Sequence, residues 1–317
     1  MTVKIREFMP SDYGSYAGIH NELYPNHPLE IESLKHEDWW FGRTRFKQRR
    51  YVAEVDGRVV AVGSFSHEVF SYNPAAFLFR IEVSPNSQRK GIGTTMYETL
   101  MSELRTIRAE RIWTSVFTPG HSPKFVKDRG FVETRRALES VLDLSTVDFA
   151  KLGHATAKAK VDGIDLDDLA GEIEADPDAG RKLFDLEMGA NEDVPNVVRS
   201  EPLTYEEYSM VILESPGLIP AGCFVAKMGG RYIGSSNLWK TNRDGYLGQG
   251  FTAVRREFRG RGIALALKLL VAKSAAERGT RFLRTSNDSA NAPILALNRK
   301  LGFVPSSTWT VFEKQVR

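Results

Sequence analysis

At 317 residues the chain is about twice the roughly 150 residues of a usual domain, so two compact units are expected. Hydrophobic residues at 42%, charged residues at 26% and a mean hydropathy of -0.31 describe an ordinary soluble protein and exclude collagen-like, disordered and fibrous classes. A formal charge of +3 is too balanced to require a polyanionic partner, and nothing resembles a membrane span or a secretory signal, so a cytoplasmic protein is expected.

In chain order, a strand is predicted near Val3 to Arg6, then a helix over Asp12 to Glu22 capped by Ser11. Strands follow at Arg50 to Glu54, at Val59 to Phe65 around the Asp56-Gly57 turn, and at Ala76 to Val83. A glycine-rich turn leads into a long helix with Ile92, Met96, Leu100, Leu104 and Ile107 on one apolar stripe. A strand at Arg111 to Phe117, a shorter helix before Gly130 and a closing strand near Leu138 to Leu142 complete this half. The small, polar KLGHATAKAK marks a boundary near residues 145–157, and the acidic VDGIDLDDLAGEIEADPDAG after it reads as a solvated connection with a polar helix face. A second long helix carries Ile263, Ala266, Leu267, Leu270 and Val271 on one face and ends at Gly279.

The chain repeats itself. VAEVDGRVVAVGSF from Val52 matches VAKMGGRYIGSSNL from Val225 at an offset of 173. VSPNSQRKGIG from Val83 matches VRREFRGRGIA from Val254 at 171, and RGF from Arg129 resembles LGF from Leu301 at 172. Three blocks in one order at nearly one offset identify a duplicated domain, with the copies at residues 1–147 and 155–317.

Each copy places a turn of the form Q/R-x-x-G-x-G/A between a strand and an amphipathic helix, at Gln88 to Gly93 and at Arg259 to Ala264. A strand that turns directly into a helix aims unpaired N–H groups and the positive end of the helix dipole at one point, and glycine lets an anion approach the backbone, so a pyrophosphate fits. The G-x-x-x-x-G-K-[ST] of a P-loop is absent. The third glycine of a dinucleotide loop is replaced by Met96 and Leu267.

On V-x-x-x-x-Q/R-x-x-G-x-G/A, realised as Val83 to Gly93 and Val254 to Ala264, together with Gly130-Phe131 and Gly302-Phe303, the chain resembles the GNAT acetyltransferase superfamily along nearly its whole length. The resemblance implies an α/β fold of two tandem domains, each a splayed mixed sheet flanked by helices, with acetyl-CoA as acyl donor where two central strands part. The main-chain amides of Gln88, Arg89, Lys90, Gly91, Ile92, Gly93 and Thr94, and of Arg259, Gly260, Arg261, Gly262, Ile263, Ala264 and Leu265, would hold the pyrophosphate. Ile81, Glu82 and Val83, and Thr252, Ala253 and Val254, would run beside the pantetheine arm, and Asn291 and Asn298 would lie near the thioester.

Acyl transfer to an amine needs a base, because an amine with a pKa near 10.4 is almost wholly protonated at neutral pH. A backbone N–H at the strand break, from Val83 or Val254, would polarise the thioester carbonyl. Many family members carry a glutamate about eleven residues before the Q/R of the turn, where this chain has Phe77 and Gly248. Glu82 is the substitute base by proximity, although strand alternation points it to the face opposite Ile81 and Val83, where solvation or a salt bridge would also explain it. The tyrosine that usually reprotonates the thiolate is replaced by Val126 and Asn298, and Asn298 can donate a hydrogen bond instead. Copy two keeps Asn287, Asn291 and Asn298 in its final segment and is therefore favoured for turnover. The matching stretch of copy one has two prolines and His121, a second candidate base.

Two other readings stand beside this one. RREFRGRG and RFKQRR would suit a nucleic acid, but the turn already uses its basic groups beside phosphates. Loss of the family glutamate and tyrosine would suit a non-catalytic acyl-CoA-binding module. The expected acceptor is a primary amine of a small molecule or peptide, gripped by variable loops at residues 24–47 and 191–217, with no nucleic acid, membrane or metal partner, in a monomer or homodimer. Cys223, alone and within an apolar run, reads as core.

Overall fold

The structure is a computed structural model that describes residues 2–118, 123–194 and 201–316. The first half of the chain forms β1 (Lys4–Glu7), α1 (Tyr13–Leu23), α2 (Ile31–Phe41), β2 (Gln48–Val55), β3 (Arg58–Ser66), β4 (Ala76–Val83), α3 (Ile92–Thr106), β5 (Arg111–Thr118), α4 (Pro123–Lys127) and β6 (Val132–Asp143). The second half forms α5 (Ala150–Val161), β7 (Asp165–Asp168), α6 (Leu169–Ala175), α7 (Ala179–Asn191), α8 (Tyr205–Tyr208), β8 (Phe224–Met228), β9 (Arg231–Lys240), β10 (Tyr246–Val254), α9 (Ile263–Glu277), β11 (Phe282–Asp288), α10 (Ala292–Leu301) and β12 (Val304–Gln315).

Two compact units result, and they are cut from the chain differently from the repeats. Among the described residues, unit 1 holds the chain up to Arg135, Glu201–Pro202 and the tail from Thr310, while unit 2 holds Arg136 to Val194 and Leu203 to Trp309. Strand order is β1-β2-β3-β4-β5-β12 in unit 1 and β6-β11-β10-β9-β8-β7 in unit 2. The closing strand of each copy thus completes the unit built from the other. In unit 2, β6 pairs antiparallel with β11 from Phe282↔Asp143 to Asp288↔Ala137, and Leu142 and Leu144 enter the core. In unit 1, Phe312 and Val316 of the tail join the core, and Lys314 Nζ donates to Tyr97 Oη at 2.8 Å and to the Arg129 carbonyl at 2.6 Å.

Within each unit the helices cover both faces of the sheet. The α3 stripe of Ile92, Met96, Leu100 and Leu104 packs on Phe65, Phe77 and Phe79, while Tyr16, Ile19 and Leu34 of α1 and α2 pack on Val52 and Val62 on the other face. Gly63 of β3 sits beneath α3, where a Cβ would lie 2.4 Å from Met96 Sδ. Gly234 occupies the same place in unit 2, where a Cβ would meet Leu267 at 3.0 Å. The helix can approach the sheet this closely only over a residue without a side chain.

Two expectations change. Ser11 lies in a 3-10 turn, and residue Asp12 stands at the N-terminus of α1 without a side-chain cap bond; its carboxylate is taken by Arg6 and the Met9 N–H. KLGHATAKAK, expected as a domain boundary, forms most of α5, because alanine and lysine favour helix where no glycine or proline cluster breaks it, and the acidic stretch after it, expected as a connection, holds β7 and α6. Trp40 packs in the interior, stacked on Phe41.

Phe312→Ala is expected to cost about 3–5 kcal/mol. Hydrogen exchange should show lost protection in β4 and β5 while β10 and β11 keep theirs. His67, buried against Phe77, receives the Lys47 N–H on Nδ1, and burial pushes its pKa down to about 4. The unfolded chain therefore takes up the proton first as pH falls, and unit 1 loses up to about 3 kcal/mol between pH 6.5 and 4. Thermal unfolding of His67→Gln should lack this slope.

Candidate active site and acyl-donor turns

The site geometry begins where a parallel strand pair comes apart. β4 and β5 pair only at Ala76↔Arg111, Phe77↔Ile112 and Leu78↔Trp113, and β10 and β11 only at Tyr246↔Phe282, Leu247↔Leu283 and Gly248↔Arg284. On its other side β4 stays paired with β3 to Ala61↔Val83, and the Ser84 N–H donates to the Val60 carbonyl at 2.9 Å. Antiparallel bonds alternate, so Glu82 also bonds across to Val62, and the N–H groups of Ile81 and Val83 point toward the gap beside β5. In unit 2 the Arg255 N–H donates to the Ile233 carbonyl at 2.9 Å, which turns the N–H groups of Thr252 and Val254 to the corresponding gap.

Both strands end in the expected turn. Gln88 Nε2 donates to the Val83 carbonyl, and Arg259 Nε to the Val254 carbonyl, each at 3.0 Å, so the Q/R side chain ties the turn to the strand. Gly91 (φ 84°) and Gly262 (φ 87°) adopt the left-handed conformation immediately before the helix. Two residues earlier Arg89 does the same at 62° where unit 2 has Gly260 at 79°. No acceptor exists among the described residues for the N–H groups from Arg89 to Gly93 or from Gly260 to Ala264. These are the donors that an anion at a helix N-terminus would use. The ends of the first turn are already committed: Gln88 N–H donates to Pro85 and Thr94 N–H to Gly91. In unit 2 the carboxylate of Asp193, just past α7, bridges Arg256 and Arg259, and those two guanidinium groups hold its pKa far below the usual range.

Glu82 points to the α1 face, as strand alternation requires, and it is not solvated there. Only 6% exposed, its two carboxylate oxygens each lie 3.1 Å from His20 Nδ1. His20 Nε2 lies 3.0 Å from the His27 carbonyl, which accepts only, so Nε2 is the donor in that contact. Tyr24 packs on His20 at 5.0 Å between ring centres, and Phe117 of β5 lies 6.0 Å from His27. His20 was missed because 62 residues separate it from Glu82. Its place on the inward stripe Tyr13, Tyr16, His20 was the available signal.

Unit 2 has Ala253 at the position of Glu82. Its buried carboxylate comes instead from Glu187 of α7, 3% exposed, which accepts from Tyr208 Oη at 2.8 Å, Ser235 Oγ at 3.0 Å and Asn237 Nδ2 at 3.1 Å. Burial pushes its pKa up and the three donors pull it back. Asn298, 2% exposed, donates to Asn287 Oδ1 at 2.7 Å and leaves its own Oδ1 without a partner, as Gln249 leaves its Oε1. Such orphaned buried acceptors suit a ligand carrying amide N–H groups, and a pantetheine arm is one. Asn291 caps α10 through the Ile294 N–H. Glu82 and Asn298 belong to different units, and His121 lies outside the described residues.

Lys268 of α9, whose carbonyl accepts from Gln249 Nε2 at 3.4 Å, is 1% exposed, its ammonium 5.3 Å from the centre of the Phe303 ring. Burial pushes its pKa down to about 7. No helix is long and apolar enough to cross a membrane, and no group of three potential metal ligands occurs among the described residues.

The profile of the acetyltransferase (GNAT) family matches residues 15–131 and 186–303. Among solved structures, a tandem GNAT protein from the clavulanic acid biosynthesis pathway is similar over 100% of this chain and 99% of its own, at a TM-score of 0.74 and 18% identity. A GCN5-related N-acetyltransferase from Sphaerobacter thermophilus is similar over 99% and 96%, at 0.70 and 18% identity. These likenesses show a shared fold. A search of curated proteins returns no match.

Lys268→Met keeps the packing and removes the charge. The difference between 10.5 and about 7 corresponds to up to about 5 kcal/mol at pH 7, a cost that vanishes as pH rises toward 10.5 because the unfolded lysine also becomes neutral. Thermal unfolding should therefore show the variant more stable than wild type at pH 7, with a narrowing gap by pH 10.

Proposed function

Since the chain belongs to the GNAT acetyltransferase family, we propose that it is a cytoplasmic N-acyltransferase that moves an acetyl group from acetyl-CoA to a primary amine, with the chemistry in unit 1. The observation that carries this reading is the Glu82 carboxylate held by His20 on β4, beside the residue whose N–H points into the strand gap. The diphosphate would rest on the free amides from Arg89 to Gly93. Val83 N–H would polarise the thioester carbonyl, and Glu82 would take the proton from the attacking ammonium, directly or through water. The amine nitrogen bonds to the carbonyl carbon, the carbon–sulfur bond breaks, and the thiolate leaves; with a thiol pKa near 8.5 it needs no dedicated acid. His20 is a positioning residue, fixed by His27, that keeps the carboxylate turned toward the amine.

Unit 2 is read differently from the expectation drawn from its asparagines. It has the turn, the gap and orphaned acceptors for a pantetheine arm, but its carboxylate is enclosed by three donors and its Ala253 carries no base. We assign it acyl-CoA binding without turnover.

Glu82→Gln should lower kcat roughly 10²- to 10⁴-fold while calorimetric binding of acetyl-CoA is retained. His20→Gln should lower kcat less and displace the pH profile. Wild-type turnover in Glu82→Gln, combined with loss of turnover in Gly262→Val, would move the chemistry to unit 2 and overturn this reading.

A further inference from the structure

Two residues before Glu82 on β4, and so on the same face about 7 Å along the strand, stands Arg80. Two other arginines on this face of unit 1 are forked onto carboxylates: Arg50 onto Asp38 and Glu37, Arg6 onto Asp12 and Glu54. Arg80 makes no hydrogen bond or ion pair among the described residues, so its five N–H donors are unspent. The side chain is exposed to solvent. Desolvation lowers its pKa, and Tyr16, Glu82, Glu37 and Glu68 more than offset this and keep the guanidinium charged. Across β3 its neighbour is the short side chain of Ser64. In unit 2 the equivalent position is Phe251, so the free guanidinium exists only in the unit that has the base.

We propose that Arg80 is the acceptor-anchoring residue of unit 1, binding a carboxylate on the same molecule whose amine faces Glu82, so that the acceptor is a free amino acid. A planar fork without partners matches a carboxylate bidentately. The order Glu82, amine, carboxylate, Arg80 spans two hydrogen bonds of about 2.8 Å and the short reach between the two ends of an amino acid, which suits neighbours two residues apart on a strand. Tyr24, His27 and Phe117 beside the base offer an aromatic wall to the acceptor's side chain. This inference rests on the acyltransferase reading and extends it to the acceptor.

The test measures coenzyme A release with phenylalanine, leucine and lysine, each as the free acid, the carboxamide and the decarboxylated amine, and with phosphoethanolamine as a phosphate-bearing amine. The expected result is a preference of roughly 10- to 100-fold in kcat/KM for the free acid over its carboxamide and its decarboxylated amine, carried mainly by KM. In Arg80→Met that preference disappears, and in Arg80→Lys it is reduced, because an ammonium keeps the charge without the fork. Retained acetyl-CoA binding and an unchanged circular-dichroism spectrum show that both variants are folded. Equal use of acid and carboxamide by the wild type, a preference that survives in Arg80→Met, or use of phosphoethanolamine in place of the acids overturns the inference while leaving the transferase intact. Absence of coenzyme A release with every amine fails the transferase reading itself.

Discussion

The chemistry of this protein depends on three residue pairs of parallel sheet that are then abandoned. After Leu78↔Trp113 in one unit and Gly248↔Arg284 in the other, the strands separate and leave main-chain N–H groups facing a gap. Main-chain N–H groups without a strand partner are placed to meet a ligand that carries carbonyl groups. The turn extends the same principle: left-handed Gly91 and Gly262 hold the amides before each helix in one concave array. The geometry of these turns is therefore set mostly by backbone, which explains how both keep it while sharing few side chains.

The polar side chains have diverged where the backbone has not. Glu82 and Arg80 face Ala253 and Phe251 across the duplication, and neutral Gln88 faces an Arg259 that Asp193 neutralises. A lysine is kept over the phenylalanine of both G-F pairs, but from different elements: Lys314 of β12 over Phe131, and Lys268 of α9 over Phe303. Tyr97 and Leu142 fill the complementary positions. Lys314 finds two acceptors whereas the Lys268 ammonium finds none among the described residues, and burial pushes the second toward neutrality.

Much of this was legible in the residues themselves. Periodicity located both long helices, the Asp56-Gly57 pair marked a hairpin that the positive φ of both residues bears out, and the glycine turns fell where the amides are free. Sequence reasoning stops where partners are distant along the chain. His20 beside Glu82 and the empty fork of Arg80 are facts of tertiary packing, invisible to spacing. The crossed closing strands are hidden for another reason: two homologous strands are equally compatible with either sheet, and the side chains that decide, Phe312 and Leu142, look like ordinary core in both cases.

That crossing sets the order of events during synthesis. Unit 1 combines β1 to β5 with Phe312 and Val316, which follow the greater part of unit 2 in the chain. β5 therefore waits as an open edge until the segment that carries Phe312 has been made. Maturation of the half that holds Glu82 and Arg80 is thus coupled to synthesis of β12, and a chain interrupted ahead of that strand yields an unfinished first half however intact its own coding region.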